Sequence, residues 1–239
     1  MAGKPTPNKA TDPAKQTAKE QILEVLSTKA STKQLVHRNV LASFARLKGL
    51  LAEVAAELNA LVCDIDRHVV VEFIDRGEFE SEIRFSGDAL VFQVHTNAFA
   101  LPSQHELRKS PWAKKDPLAT YFGMIHVYNF LSDSFRFNRL NDGGYLMGRI
   151  LINKHGHSFA EGPGKMALPF SEEAITQETL KCWIENAMLQ AMAFDLTAAP
   201  MKGMQEVSVS EFLDMSGQLK QRTAKKLGFQ ANSEGSPIV

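Results

Sequence analysis

Apolar and polar residues alternate with a period of two from Val69 to His95. Phe79, Ser81, Ile83 and Phe85 fall on one side of an extended chain, with Glu80, Glu82 and Arg84 on the other. Leu90, Phe92 and Val94 oppose Val91, Gln93 and His95 in the same way. Such alternation predicts antiparallel strands with one dry face and one solvated face. Two turns suggest the register. Asp75-Arg76-Gly77 suits a three-residue hairpin loop, setting Phe73 opposite Phe79, Val71 opposite Ser81 and Val69 opposite Ile83. Gly87-Asp88 suits a two-residue turn, setting Phe85 against Leu90 and Ile83 against Phe92. Both turns keep the apolar residues on one face.

A helical period precedes this meander. A short helix is expected over Lys19 to Ser27, and Ser31 with Gln34 forms an S-x-x-Q capping box that predicts a new helix start. Val40, Phe44, Leu47, Leu51, Val54, Leu58 and Leu61 then recur at alternating spacings of four and three, a heptad seam. The seam suits a helix laid across the sheet. It also suits pairing with a second copy, and self-association through Val40–Leu61 is the partner expectation.

Beyond the meander, Asn97 to Thr120 holds Pro102, Pro111 and Pro117 together with Trp112, Arg108, Lys109, Lys114 and Lys115. It reads as a long surface connection with one helical turn. Tyr121 to Asn129 fits a strand or a helical face, and strand is preferred. Gly144 to Ile152 and His157 to Glu161 read as strands around a turn at Lys154-His155-Gly156. Gln177 to Phe194 carries Leu180, Trp183, Ile184, Ala187, Met188, Ala191 and Met192 on one helical face, and Ser210 caps a last helix ending near Gly228. The predicted fold is one α+β domain: a mainly antiparallel sheet of five or six strands, packed by a long N-terminal helix and two C-terminal helices. It spans residues 19–230, between a disordered arm at 1–18 and a disordered tail at 231–239.

Composition narrows the function. The 239 residues carry 27 Lys and Arg against 27 Asp and Glu, so no global field draws the chain to nucleic acid or anionic lipid. Cys63 and Cys182 form no spaced framework, no apolar run approaches the ~20 residues of a membrane span, and the first residues lack a signal-peptide core. A cytoplasmic protein that neither enters membranes nor binds nucleic acid is expected.

Three fragments invite a chemical reading. His155-Gly156-His157 with Glu161 resembles the H-x-H-x3-E metal-ligand core of the cupin family over seven residues. That resemblance implies a metal held by His155, His157 and Glu161. However, the glycine that the pattern places six residues before the first histidine is Arg149 here, and the later-histidine motif is absent. On one strand His157 and Glu161 would also lie roughly 13 Å apart. A hairpin centred on His155 pairs Arg149 with Glu161 and Asn153 with His157 instead. No metal or cofactor is therefore expected, with His155 and His157 the nearest metal candidates.

Glu80, Glu82, Asp88, Gln93 and His95 resemble the acidic cluster of restriction-endonuclease-like nucleases, but the lysine two residues after Gln93 is replaced by His95. Solvent-facing charges are expected there. Gly162-Pro163-Gly164-Lys165 lacks phosphate-loop spacing and reads as a turn. Asn129 to Asp142 interleaves polar residues with Phe130, Phe135 and Phe137, a composition of ordinary turns that also suits a pocket wall.

With no complete catalytic set, the leading expectation is a non-enzymatic, self-associating interaction or assembly protein. The alternative is a small-ligand sensor or enzyme with a pocket near Asn129–Asp142 and the His155 hairpin. Its ligand contacts would be Asn129, Asp133, Arg136, Arg139, Arg149 and His157.

Overall fold

The computed structural model describes residues 17–140, 142–193, 208–210 and 213. Most of the expected arm, the whole tail and nearly all of the last predicted helix lie outside the described residues. The chain opens with α1 (Ala18–Val25), passes through a π-helical turn (Leu26–Ala30) and continues as α2 (Ser31–Val62). The start is set by Thr17 rather than Ser31. The Thr17 hydroxyl accepts from the Glu20 backbone N–H while the Glu20 carboxylate accepts from that of Thr17, a complete capping box. Ser31 is interior because the turn before it stays helical.

Seven antiparallel strands follow, each paired with its sequence neighbours: β1 (Val71–Asp75), β2 (Glu80–Phe85), β3 (Asp88–Ala100), β4 (Tyr121–Leu131), β5 (Tyr145–Asn153), β6 (His157–Glu161) and β7 (Leu168–Ala174). The α+β class stands, with seven strands instead of five or six. The extra strand is β7, a sheet edge whose Pro169 and run of Ser171, Glu172 and Glu173 conceal it; proline is tolerated at an edge, where no ladder donor is required.

The meander keeps the predicted faces but shifts the register. Phe73 pairs with Ile83 and Ile83 with Leu90. The second hairpin turns at Ser86-Gly87, with Ser86 at φ 51°, so that Phe85 meets Asp88. Each shift moves the pairing by an even number of residues, so every side chain stays on its expected side.

The inner face carries the core. Ile83, Leu90, Phe92, Ile125, Val127, Ile150 and Ile152 pack against α2 and against α6 (Gln177–Met192). Helix α2 crosses β4 so closely that a Cβ on Gly123 would stand 2.6 Å from a Val40 methyl. Val40, Phe44, Leu47, Leu51 and Val54 are buried in this layer, and Leu58 packs at its margin. The expected dimer seam at Val40–Leu61 is thus consumed by the sheet of its own chain, since one apolar stripe cannot face two partners. Only Leu61, 69 % exposed, is left over.

The outer face is covered at its ends alone. At one end lie α3 (Glu106–Lys109), α4 (Pro111–Lys115) and a 3₁₀ turn (Pro117–Thr120), over Phe122, Met124, Leu151 and Phe159. These short elements replace the long connection read from the sequence. At the other end α5 (Ser132–Arg136) sets Phe135 against Phe130. Arg76 lies over the Phe135 ring at 4.3 Å and reaches Glu82, which Arg84 also holds. Glu82 is 0 % exposed, so it is a buried ion triad and not the solvated charge its alternation implied. Alternation assigns a side to a residue but says nothing of what loops cover that side.

Candidate functional site

The β5–β6 hairpin is held by one buried amide. The Asn153 side-chain oxygen accepts from the backbone N–H groups of His155 (2.9 Å) and His157 (3.0 Å), and its amide N–H donates to Ala119 O at 3.2 Å. From the inner side Asn39 donates to the carbonyls of Asn153 and Lys154. Gly156 takes φ 81°, closing a turn that presents Lys154 and His155 toward α4. Helix α4 is built for this meeting. The Ser110 hydroxyl accepts from Ala113 N–H, Pro111 fills the first helical position, and Asp116 ends the helix.

Asp116 is the junction. Its carboxylate accepts from Lys154 Nζ at 2.8 Å and from His155 Nε2 at 2.9 Å. Burial pushes its pKa up, but these two hydrogen bonds and the charges behind them prevail and hold it below the ordinary aspartate value. A neutral His155 in this contact carries its proton on Nε2 and leaves Nδ1 as an acceptor. Beside it stand His157, 5.3 Å between ring centroids, then Trp112 at 6.0 Å from His157, then Phe170 at 4.7 Å from Trp112. His157 is pushed down chiefly by burial and next by the charge of His155, with Glu172 opposing. Its Nδ1 is buried without a hydrogen-bond partner. Together Pro111, Trp112, Lys115, Asp116, His155, His157 and Glu172 line an open pocket of about 630 Å³.

Of the residues proposed from the sequence, only His155 and His157 reach this pocket. The pairing Asn129↔Tyr145 closes one end of the sheet and Phe122↔Asn153 the other. Seven residues of β4 separate them, roughly 23 Å at ~3.3 Å each. The single pocket expected from Asn129–Asp142 and the His155 hairpin is therefore not formed.

Asn129 is sealed in the core, donating to Asp88 and to the Tyr145 hydroxyl at 3.1 Å each. Asp133 is buried, and that burial pushes its pKa up against the pull of Arg139 and Arg136. Arg139 pairs with Asp142 at 3.1 Å. Arg136 is exposed and borders a separate hollow of about 370 Å³ with His68, Glu72, Arg84 and Ser132.

Arg149 pairs with Glu161 at 2.6 Å, the expected cross-strand partner. It belongs to a polar row across five strands of the outer face: Glu80, Gln93, His126, Arg149 and Glu161, each opposite the next. His126 is pushed down by burial first, then by His95 and Arg149.

Trp112, Lys115, Asp116 and Glu172 are pocket residues that the sequence reading did not assign, and Lys154 supports them through Asp116. The nearest signal was Ser110-Pro111, a helix start placing Trp112 and Lys115 three residues apart on one face. Among the described residues, no group of three or more His, Cys, Asp or Glu side chains is placed to hold a metal ion, and no helix is long and apolar enough to cross a membrane. Compared with models of known families, with curated proteins and with solved structures, the chain gives no match.

Proposed function

We propose that this protein is a small-ligand-binding module whose site is the pocket between α4 and the β5–β6 hairpin. The observation that carries the reading is convergence. Residues distant in the chain bring an aromatic wall, an oriented carboxylate–imidazole pair and two rim charges around one opening. Apolar walls with a few placed polar groups are the usual make-up of such sites. Asp116 fixes the orientation of the His155 ring, and among the described residues no serine, threonine or cysteine lines the pocket. Binding is the preferred function on the strength of that convergence. A thermal-shift screen of small aromatic and polar compounds tests it. At a hundredfold excess over Kd a ligand stabilises the fold by about 2.7 kcal/mol. The expected shift disappears in Trp112→Ala and Asp116→Ala. A screen without hits, or hits indifferent to both changes, would refute the pocket.

A second reading, an interaction or assembly protein of the reducing cytosol, rests on a different observation. Helix α1 has no buried residue, and Ile22, Leu23, Val25 and Leu26 are 53–65 % exposed. Cys63 and Cys182 are free and exposed, as suits a reducing compartment. The double change Ile22→Glu and Leu26→Glu should leave folding intact and abolish any concentration-dependent association seen by light scattering. A wild type that stays monomeric at high concentration would remove self-association from this reading.

A further inference from the structure

We infer that the hollow between α2 and the end of β3 docks an extended acidic segment of a partner protein, which joins the sheet there as an added strand. This hollow shares no residue with the α4 pocket, so the inference stands apart from the ligand reading. Three features support it.

The first is an unpaired strand edge. Strand β2 begins at Glu80, opposite Gln93, so β3 runs on to Ala100 with no strand on its β2 side among the described residues. The ladder to β4 also lapses between His95 and Phe99, leaving Thr96, Asn97 and Ala98 in neither register. All of residues 96–100 are exposed except Ala98, which is half-buried. The outermost strands are guarded. The Asn59 side chain bonds both backbone groups of Val71 on β1, and β7 carries Pro169, Glu172 and Glu173. Residues 96–100 contain no proline and no charge. An edge without such guards accepts a further strand.

The second is a recess beside that edge. Residues 96–99 line a hollow of about 610 Å³ together with Lys33 and His37 of α2 and with Phe79. Phe79 and Phe99 are each 37 % exposed, so the recess offers apolar surface next to the unpaired backbone.

The third is charge. From Val25 to Ala52 the chain has no Asp or Glu but carries Lys29, Lys33, Arg38, Arg46 and Lys48. Lys48 is taken by Asp75, and Arg46 by the Ile175 carbonyl. Lys29 and Lys33 converge on the Tyr121 ring at 5.9 and 5.6 Å, with no carboxylate partner among the described residues. Among those residues no carboxylate lines the hollow, not even Glu78 next to Phe79 in the chain. Alternate side chains of an added strand face α2, so carboxylates at every second position meet this charge.

Fluorescence anisotropy of the full chain with a labelled peptide of alternating Glu and Val tests the inference. The controls are a Lys–Val counterpart, single-stranded oligothymidylate, and two forms of the acidic peptide N-methylated on one or the other set of alternate backbone nitrogens. The acidic peptide is expected to bind at least tenfold tighter than the Lys–Val peptide and the oligonucleotide. The two N-methylated forms should differ at least tenfold, because only one set of N–H groups faces β3 in an added strand. Lys33→Glu, at an exposed position, should keep the fold and weaken the acidic peptide at least tenfold. Amide hydrogen exchange should slow at residues 96–100 on binding. No measurable binding, equal binding of the Lys–Val peptide or the oligonucleotide, or N-methylated forms that bind alike would overturn the inference. So would exchange at residues 96–100 that does not slow, or a Lys33→Glu chain that binds as wild type does.

Discussion

The chain has two tryptophans, one on each side of the sheet, and they have opposite fates. Trp183 on α6 is 1 % exposed, meets Phe92 edge-on at 6.0 Å and donates its indole N–H to Met166 O at 3.0 Å. Nothing of it is left for a ligand. Trp112 on α4 is half-buried among Phe170, His157 and a small apolar cluster, and it borders the pocket. The inner face is covered by a helix of 32 residues and another of 16, whose apolar stripes meet a matching sheet. The outer face is capped by helices of four and five residues, too short to cover it. Complete cover makes a core and partial cover makes a site.

The largest effect that would break this contrast comes from the inner face. Leu51→Glu places a charge in a fully buried layer and should cost more than about 4 kcal/mol, enough to unfold the domain. Circular dichroism and urea titration check it. A folded monomer would instead place the seam between subunits.

The outer face has its own structural weak point. Glu82→Ala leaves Arg76 and Arg84 without their shared carboxylate. Both guanidinium side chains keep some solvent contact, 27 % and 22 % exposed, so the loss should be about 2–4 kcal/mol rather than that of a fully buried pair. An unchanged urea midpoint would mean the triad is dispensable. Gly77→Val should cost about 1–3 kcal/mol. Gly77 sits at φ 110° with open space around its Cα, so the penalty is backbone strain alone, and Gly77→Ala should share most of it.

The smallest expected effect is a pH dependence. His126 and His157 are held below the ordinary histidine value of 6.5, each chiefly by burial. The unfolded chain therefore binds their protons first. Their contribution to stability is intact above pH 6.5 and is lost as pH falls through the depressed folded values. Thermal melts from pH 7.5 to 5 should show this decline, and His126→Gln should flatten it. A melting temperature independent of pH over that range would contradict the burial of both rings.

How far the sequence spoke follows the same division. The strand alternation and the Val40–Leu58 stripe pointed to the inner face because a packed layer imposes its period on the residues that build it. The Arg149–Glu161 pair was legible too, since hairpin register follows from the turn at His155. The Val40–Leu61 stripe left two readings open because a heptad has the same pattern whether it meets a sheet or a copy of itself, and burial against the sheet is what the fold shows. Trp112 and Asp116 lie in a proline-broken connection, where no period exists to show which strand end they reach. Grouping Asn129 with His157 failed for the matching reason: both sit near strand ends, but at opposite ends of the sheet, seven β4 residues apart.

The most direct test of the account follows the two indole N–H signals in a proton–nitrogen NMR spectrum while a thermal-shift hit is titrated into the protein. Trp112 stands at the proposed site and Trp183 in the core, so each reports one face of the sheet. The account predicts that the Trp112 signal, assigned by its loss in Trp112→Phe, shifts progressively and saturates while the Trp183 signal stays fixed. A shift confined to Trp183, or saturating binding that moves neither signal, would contradict it.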